Sequence, residues 1–165
     1  MSGRLTATGG DTLRAVPNEK PEETRPVRID MRERNKAIMA EYRANSGRPL
    51  DGSTPLVIIT TTGAKSGNAH SIPVCVREDG EDLVIAASAG GRAVPPQWYK
   101  NLLAQPEVTV EYLGQTYKAA ATTVANSLDR NRLFDMMSEV IIGLYGYQDR
   151  CRDNRQIPII RLQRG

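Results

Sequence analysis

Histidine and cysteine are scarce in this chain of 165 residues, which contains one histidine and two cysteines. A zinc site of the His₃ or His₂Glu kind needs at least two histidines, so His70 alone excludes both kinds. A Ser-His-Asp or Cys-His unit would have to use His70, and no nucleophile motif surrounds that residue. Cys75 and Cys151 are too few and too far apart to indicate a disulfide framework. We therefore predict no metal site and a reducing compartment.

Long hydrophobic runs are also missing. No segment approaches the ~20 consecutive apolar residues of a membrane-spanning helix, and the N-terminus lacks the apolar stretch of a secretory signal. The net charge is +3, and the basic residues are spread along the chain instead of forming a stripe suited to nucleic acid. These features predict a cytoplasmic protein that does not bind nucleic acid.

The first 28 residues contain few large apolar side chains and are rich in Gly, Pro, Thr and charge. Such a composition cannot bury enough apolar surface to offset the entropy lost on ordering. We predict that residues 1–28 form a disordered tail and that residues 29–165 form one domain.

The first ordered element should be a helix over residues 30–44, capped by Asp30 and carrying a charged outer face. A solvated outer face is the favoured interpretation. A basic amphipathic helix is also suited to peripheral contact with anionic lipid at the inner face of the plasma membrane.

Apolar and alternating stretches predict strands at 56–59, 70–77, 83–87, 108–112, 116–124 and 157–162. Two hairpins are expected, one joining 70–77 to 83–87 and one joining 108–112 to 116–124. A short helix is expected at Gln97–Ala104, and a longer one capped by Ser127 that carries Phe134, Met137, Val140 and Ile141. This order predicts an α+β fold: a small, mostly antiparallel barrel with helices packed outside.

Residues 60–67, Thr-Thr-Thr-Gly-Ala-Lys-Ser-Gly, follow the first predicted strand. A phosphate loop requires Gly directly before the Lys and a helix after it, but here Ala64 precedes Lys65 and a strand follows. A nucleoside triphosphatase is therefore excluded. Glycine N–H groups, hydroxyls and Lys65 still predict a cradle for an anion. The alternative is a hairpin turn that contains a lysine.

Small residues at 86–91, Ala-Ala-Ser-Ala-Gly-Gly, leave room for a flat ligand against the backbone, and glycine can present amide donors there. Trp98, Tyr99 and Asn101 could wall and orient a planar ring. The alternative is that Trp98 packs in the core with Leu102, one helical turn later.

Two tyrosines, Tyr145 and Tyr147, follow the long predicted helix in a Gly-rich segment. Mobile loops that carry tyrosines commonly line substrate entrances. Packing over the core is the alternative for both residues.

Together these segments resemble the deazaflavin-dependent nitroreductase family, actinobacterial enzymes that use coenzyme F-420. The resemblance covers residues 35–165. It is carried by residues 41–47, 60–67, 86–88 with 90–91, 96–102, 105–108, 147–149 and 155–158. It implies a split β-barrel like that of flavin-binding relatives of pyridoxamine-phosphate oxidase.

The resemblance also implies a groove that holds the 8-hydroxy-5-deazaflavin, with its phospholactyl-polyglutamate tail on basic groups. By position, Lys65 and Ser66 would hold the tail. The ring would be lined by Pro73, Val74, Cys75, Ala87, Ser88, Gly90 and Gly91, with Trp98, Tyr99 and Asn101 alongside. Tyr145 and Tyr147 would face the acceptor and polarise it.

The implied activity is hydride transfer from the reduced cofactor to a quinone, a nitro compound or an activated C=C bond, in a monomer or homodimer. A non-catalytic protein that binds the cofactor or a hydrophobic ligand is an alternative, as is a relative that uses flavin mononucleotide. The family often carries basic residues where this chain has Ala64, His70 and Ala89. These departures should weaken the grip on a polyanionic tail, and Arg92 is placed to compensate.

Overall fold

The computed structural model describes residues 29–49 and 53–165, so the predicted tail at 1–28 lies outside the described residues. These residues contain four α-helices, α1 (Met31–Ala44), α2 (Gln97–Ala104), α3 (Ser127–Ser138) and α4 (Leu144–Cys151). They also contain seven strands, β1 (Leu56–Thr62), β2 (Ala69–Cys75), β3 (Arg77–Asp79), β4 (Asp82–Ala86), β5 (Glu107–Tyr112), β6 (Gln115–Thr123) and β7 (Ile159–Arg164). A short 3-10 turn occupies Ala89–Gly91.

The strands form one sheet in the order β2-β1-β5-β6-β7-β4-β3, and every neighbouring pair is antiparallel. The two edge strands, β2 and β3, are consecutive in the chain and are joined by Val76 alone. A single residue spans at most ~3.6 Å, so the sheet must curl until its opposite edges meet. Within the described residues β2 forms a ladder only with β1, which leaves a split beside it. The predicted split barrel is confirmed.

The inner face of the sheet forms the main core, and the alternation of strand side chains explains its composition. In β4, Leu83 and Ile85 point into the barrel, while Val84 and Ala86 belong to a second cluster outside. The interior cluster contains Val57, Ile59, Val76, Leu83, Ile85, Ala87, Trp98, Leu102, Val108, Val110, Ala119, Ile160 and Leu162. Trp98 and Leu102 come from α2, so this helix contributes to the interior instead of lying wholly outside.

The other helices cover the outer face of the sheet. From α3 and α4, Phe134, Met137 and Leu144 pack with Val84 of β4, and from α1, Met39 and Tyr42 pack over Ile58 of β1. The apolar face of α1 is therefore covered by the sheet. None of the helices in the described ranges has the length and apolarity needed to cross a membrane.

Several local predictions are confirmed. Helix α1 begins after Asp30, whose side chain accepts a hydrogen bond from the Arg32 N–H at 2.9 Å. Helix α2 has the predicted bounds, and β5 and β6 form the predicted hairpin. Each of these elements was indicated by a signal within its own sequence window, a cap, a turn or an alternation.

Other local predictions are wrong. The segment 70–77 does not pair with 83–87 as one hairpin, because the chain turns at Val76: β2 pairs with β1, and only the short β3 pairs with β4. The cap of α3 is Asn126, whose side chain accepts from the Asp129 N–H at 3.0 Å, and not Ser127. Because α3 ends at Ser138, Val140 and Ile141 lie beyond it.

Candidate functional site

The loop between β1 and β2, residues 63–68, is closed by its own backbone and anchored by Asn101. The Gly63 N–H donates to the Asn68 carbonyl at 2.8 Å. Asn101, 2% exposed, accepts from the Ala64 N–H at 3.2 Å and donates to the Thr61 hydroxyl at 3.1 Å. Asn101 therefore fixes the predicted anion loop, which is a positioning role that the sequence did not indicate.

Polar groups collect around Gly63. A Cβ at this position would lie 2.5 Å from the Ser66 hydroxyl oxygen and 2.9 Å from His70 Nε2, so only glycine allows both side chains to approach. Lys65 and Ser66 are exposed, and no ion pair within the described residues engages Lys65. A hydroxyl and an uncommitted ammonium group of this loop thus lie close to the imidazole at the start of β2, an exposed set of groups suited to an anion.

The loop at 87–92 presents backbone donors. Ser88 is right-handed (φ −73°, ψ −37°), whereas Ala89 and Gly90 have φ of 45° and 62°. A right-handed residue followed by a left-handed one points successive N–H groups into one concavity, which is an anion-binding arrangement. Among the hydrogen bonds of the described chain, none is donated by the N–H groups of Ser88, Ala89 or Gly90. These three donors are available to a ligand.

Arg155 binds the backbone carbonyl groups of this loop. Its guanidinium donates to the carbonyl oxygens of Ala87 at 3.0 Å, Ser88 at 2.8 Å and Arg92 at 2.9 Å. Arg150 donates to the Gly90 carbonyl at 2.8 Å. Because the carbonyls are engaged on one side, the N–H groups are left on the other. Sequence reasoning missed both arginines: residues 155–158 supported the family resemblance, but nothing local identified the carbonyls as partners.

The loop is also packed tightly against α4. A Cβ on Gly91 would lie 2.6 Å from the Tyr147 carbonyl oxygen and 2.8 Å from its Cα, and Gly91 has φ of 77°. Gly91 is therefore required by both close approach and left-handed backbone. Gly90 has open space around it, so its requirement comes from φ alone.

The split beside β2 brings a free strand edge to the site. Pro73 has no N–H and lies opposite Ile58 of β1, which is tolerated because β2 is an edge strand. Along β2, residues whose backbone groups bond to β1 alternate with residues whose backbone groups point away from it. Ser71, Pro73 and Cys75 are of the second kind, so their backbone polar groups point into the split. Strand β4, which leads into the loop at 87–92, approaches β2 across this split. Pro73, Val74 and Cys75 are half-buried, and burial raises the pKa of the Cys75 thiol, which keeps it protonated.

The aromatic residues of α2 are more buried than we expect for side chains that line a ligand site. Trp98 is 8% exposed and belongs to the interior core with Leu102. Tyr99 is half-buried and its hydroxyl lies 3.0 Å from the Thr123 hydroxyl. These contacts favour the packing alternative for Trp98.

Tyr145 and Tyr147 do not lie in a mobile turn. Both belong to α4, and residues two apart on a helix point roughly 200° apart. The Tyr145 hydroxyl donates to Asp135 of α3, and its ring packs edge-on against Phe134 at 5.0 Å. The backbone of Tyr147 lies against Gly91, whereas its ring lies beside Gly143 and faces the guanidinium of Arg150, 5.8 Å from the ring centroid. The expectation that both tyrosines lie in a turn is wrong, and it is Tyr147 whose backbone adjoins the loop at 87–92.

No cluster of three or more His, Cys, Asp or Glu side chains that could hold a metal ion occurs within residues 29–49 and 53–165.

We predict that Arg155→Lys loosens the loop at 87–92, because an ammonium group cannot reach three carbonyls that a planar guanidinium bonds together. Amide hydrogen exchange at Ala87, Gly91 and Arg92, whose N–H groups are hydrogen-bonded, should accelerate, and the melting temperature should fall by about 2–8 °C. Arg152→Lys, on an exposed residue three positions earlier, is the control and should change neither quantity. Unchanged exchange in Arg155→Lys would contradict the anchoring role.

Comparison with known proteins agrees with this geometry. The model of the family described as F420H(2)-dependent quinone reductase matches residues 30–163. An F420H(2)-dependent quinone reductase of Mycobacterium tuberculosis is 32% identical over 130 residues, which cover 76% of this chain and 86% of that protein. A solved structure of an F420-H2 dependent reductase (FDR-A) has a TM-score of 0.60 at 28% identity and covers 70% of this chain and 98% of its own. Another, described as a domain-swapped dimer, has a TM-score of 0.61 at 26% identity and covers 78% and 97%. The resemblance inferred from the sequence is confirmed, and the chain belongs to the F420H(2)-dependent quinone reductase family.

Proposed function

We propose that this protein is an oxidoreductase that transfers a hydride from reduced coenzyme F-420 to a quinone. The observation that carries the proposal is the pair of loops suited to an anion, 63–68 and 87–92, beside the split of the barrel in a member of this family. The bound cofactor would supply the hydride chemistry, while the protein positions it and excludes water. Nitro compounds and activated C=C bonds are further acceptors within the same chemistry.

The residues present suit this cofactor. Lys65 and Ser66 of the loop at 63–68, with His70 of β2, provide an exposed polar surface for the anionic tail. The free edge of β2 offers alternating backbone donors and acceptors, which match the pyrimidine edge of a deazaflavin. Pro73, Val74, Cys75, Ala87, Ser88, Gly90 and Gly91 are small or half-buried residues on either side of the split and would line the ring. Asn101 acts on the tail loop through Ala64, and Trp98 and Tyr99 support the groove from the core side.

The smaller number of basic residues in this chain should weaken binding of the anionic tail of the cofactor. Ala64 and Ala89 carry no charge, but Arg92 is exposed and its carbonyl is fixed by Arg155. The backbone of Arg92 is therefore held in place beside the free N–H groups of Ser88, Ala89 and Gly90. We propose that it replaces the charge absent at Ala89.

The acceptor would lie beside Tyr147. The backbone of this residue contacts the loop at 87–92 through Gly91 and its ring lies beside Gly143, whereas the Tyr145 hydroxyl is directed at α3. A hydroxyl here can donate a hydrogen bond or a proton to the quinone oxygen as negative charge develops on it. No other acid or base is needed for the reaction.

We predict that F-420 binds with micromolar or lower Kd, weakened by salt, and at least ~10-fold more tightly than flavin mononucleotide, which lacks the long anionic tail. Lys65→Ala should weaken F-420 binding about 3- to 10-fold, and Ala89→Lys should strengthen it by a similar factor. Fluorescence titration of both cofactors measures these values.

Lys118→Ala is the matched control, since it removes one exposed charge that lies on β6, outside both loops. Tighter binding of flavin mononucleotide would contradict the choice of cofactor. Tight F-420 binding without quinone turnover would favour a cofactor-binding protein over an enzyme.

We predict that Tyr147→Phe lowers kcat/KM for menadione by about 3- to 100-fold, because a hydrogen bond made to the reacting acceptor is lost. The affinity for F-420 should stay near that of the wild type. Tyr145→Phe is the matched control, with the same chemical change on the opposite face of α4, and should keep normal kinetics. An equal loss of kcat/KM in both variants, or no loss in either, would contradict the placement of the acceptor beside Tyr147.

We further propose a cytoplasmic monomer or homodimer that touches the inner face of the plasma membrane through the N-terminal end of α1. Ile29 and Met31 are 62% and 55% exposed, next to Arg32 and Arg34. Exposed apolar side chains beside cations suit an anionic lipid surface.

In this case the protein should cosediment with vesicles containing phosphatidylglycerol, and the double variant Ile29→Ser/Met31→Ser should reduce the bound fraction at least about 3-fold. Leu128→Ser, which changes a residue 81% exposed on α3, is the control and should bind normally. Equal sedimentation of all three proteins would contradict the contact through α1.

A further inference from the structure

A second cavity lies away from the split of the barrel. It has a volume of about 460 Å³, is open to solvent, and is lined by α3, α4 and the segment 152–156. Tyr145 lines it, on the face of α4 that points away from Gly91. The cavity is therefore separated from the proposed cofactor groove by the body of α4.

The charge inside this cavity is not balanced. Arg130 is half-buried, and its Nη2 donates only to neutral acceptors, the Ile157 carbonyl at 2.7 Å and the Gln148 side chain at 3.4 Å. Burial lowers the pKa of Arg130, although a guanidinium keeps its charge. Arg155, also half-buried, donates only to backbone carbonyls.

The remaining charged lining does not cancel these two cations. Arg152 is largely exposed, and its nearest described carboxylate, Asp153, is 3.9 Å away. The acid that lines the cavity is Asp135, which already accepts the Tyr145 hydroxyl. The lining therefore contains three arginines and one carboxylate. A cation removed from water without a partner is costly, so this arrangement favours an anionic occupant.

The shape and the aromatic lining narrow the class of anion. Arg130 lies over the ring of Phe134, 5.1 Å from its centroid, and the rings of Phe134 and Tyr145 pack edge to face. A volume of this size falls in the usual range for small-molecule sites, ~300–1,000 Å³. A flat apolar body with one carboxylate would pack on these rings and pair with the arginines beside them. We propose that this cavity is a binding site for a small aromatic carboxylate, with Arg130 and Arg152 as its charged donors.

Arg155 takes part in both regions, since it lines the cavity and holds the loop at 87–92. It is therefore unsuitable for testing this site, because its loss would disturb the other one. The proposed binding does not require the cofactor, and the test is made on the full chain without it.

The first experiment is calorimetric titration of the full chain with 2-naphthoate at constant ionic strength. One site should be observed, with 2-naphthol and inorganic phosphate each binding at least about 10-fold more weakly, because each supplies only half of the recognition. No binding of 2-naphthoate at millimolar concentration would overturn the proposal, as would equal affinity for 2-naphthol.

The second experiment locates the site with variants that each lower the net charge by one. Asn131→Asp adds a carboxylate to the cavity lining without removing any hydrogen bond found in the described chain, and Arg152→Ala removes an exposed cation. Each should weaken 2-naphthoate binding about 3- to 10-fold, whereas Lys36→Ala, on α1, should change it less than about 2-fold. If Asn131→Asp and Arg152→Ala bind like the wild type, 2-naphthoate occupies another site and the proposal is overturned.

Discussion

The single-residue link between β2 and β3 constrains the whole molecule. These strands form opposite edges of a seven-stranded sheet, yet only Val76 separates them in the chain. The link is possible only if the sheet curls, and Val76 itself is fully buried in the interior. Since β2 keeps one edge free, closure leaves a split with backbone donors and acceptors exposed in it. The proposed groove is thus a consequence of the turn at Val76, which closes the sheet.

The C-terminal segment completes this groove from outside the barrel. Arg155 and Arg150 bind the carbonyls of the loop at 87–92, and Gly91 allows the backbone of α4 to approach. Backbone carbonyls bonded on one side leave the N–H groups free on the other. The two arginines have no carboxylate partner among the described residues, so they also add positive charge near these N–H groups. The same residues therefore stabilise the loop and favour the anionic ligand proposed for it.

Local signals predicted α1, α2 and the β5–β6 hairpin because a cap, an apolar helical face and a two-strand alternation with a Gly turn each act within a few residues. The pairing of β2 could not be predicted in the same way, since Val76 looks like another member of an alternating strand. Helix α4 was missed because Gly143 and Gly146 are typical of turns; Gly143, with φ of 86°, precedes the helix, and Gly146 lies inside it. The partners of Arg155 are more than 60 residues away, so no local pattern contains them.

Helix α4 separates two chemical environments through its period alone. Arg150 and the backbone of Tyr147 contact the loop at 87–92, whereas Tyr145, Gln148 and Arg152 line the second cavity. Shifting the helix by two residues, a rotation of roughly 200°, would exchange these faces. Leu144 and Cys151, buried and two turns apart, fix its rotation against the sheet. The apolar packing of two residues thus determines which tyrosine stands beside the proposed cofactor and which one lines the cavity.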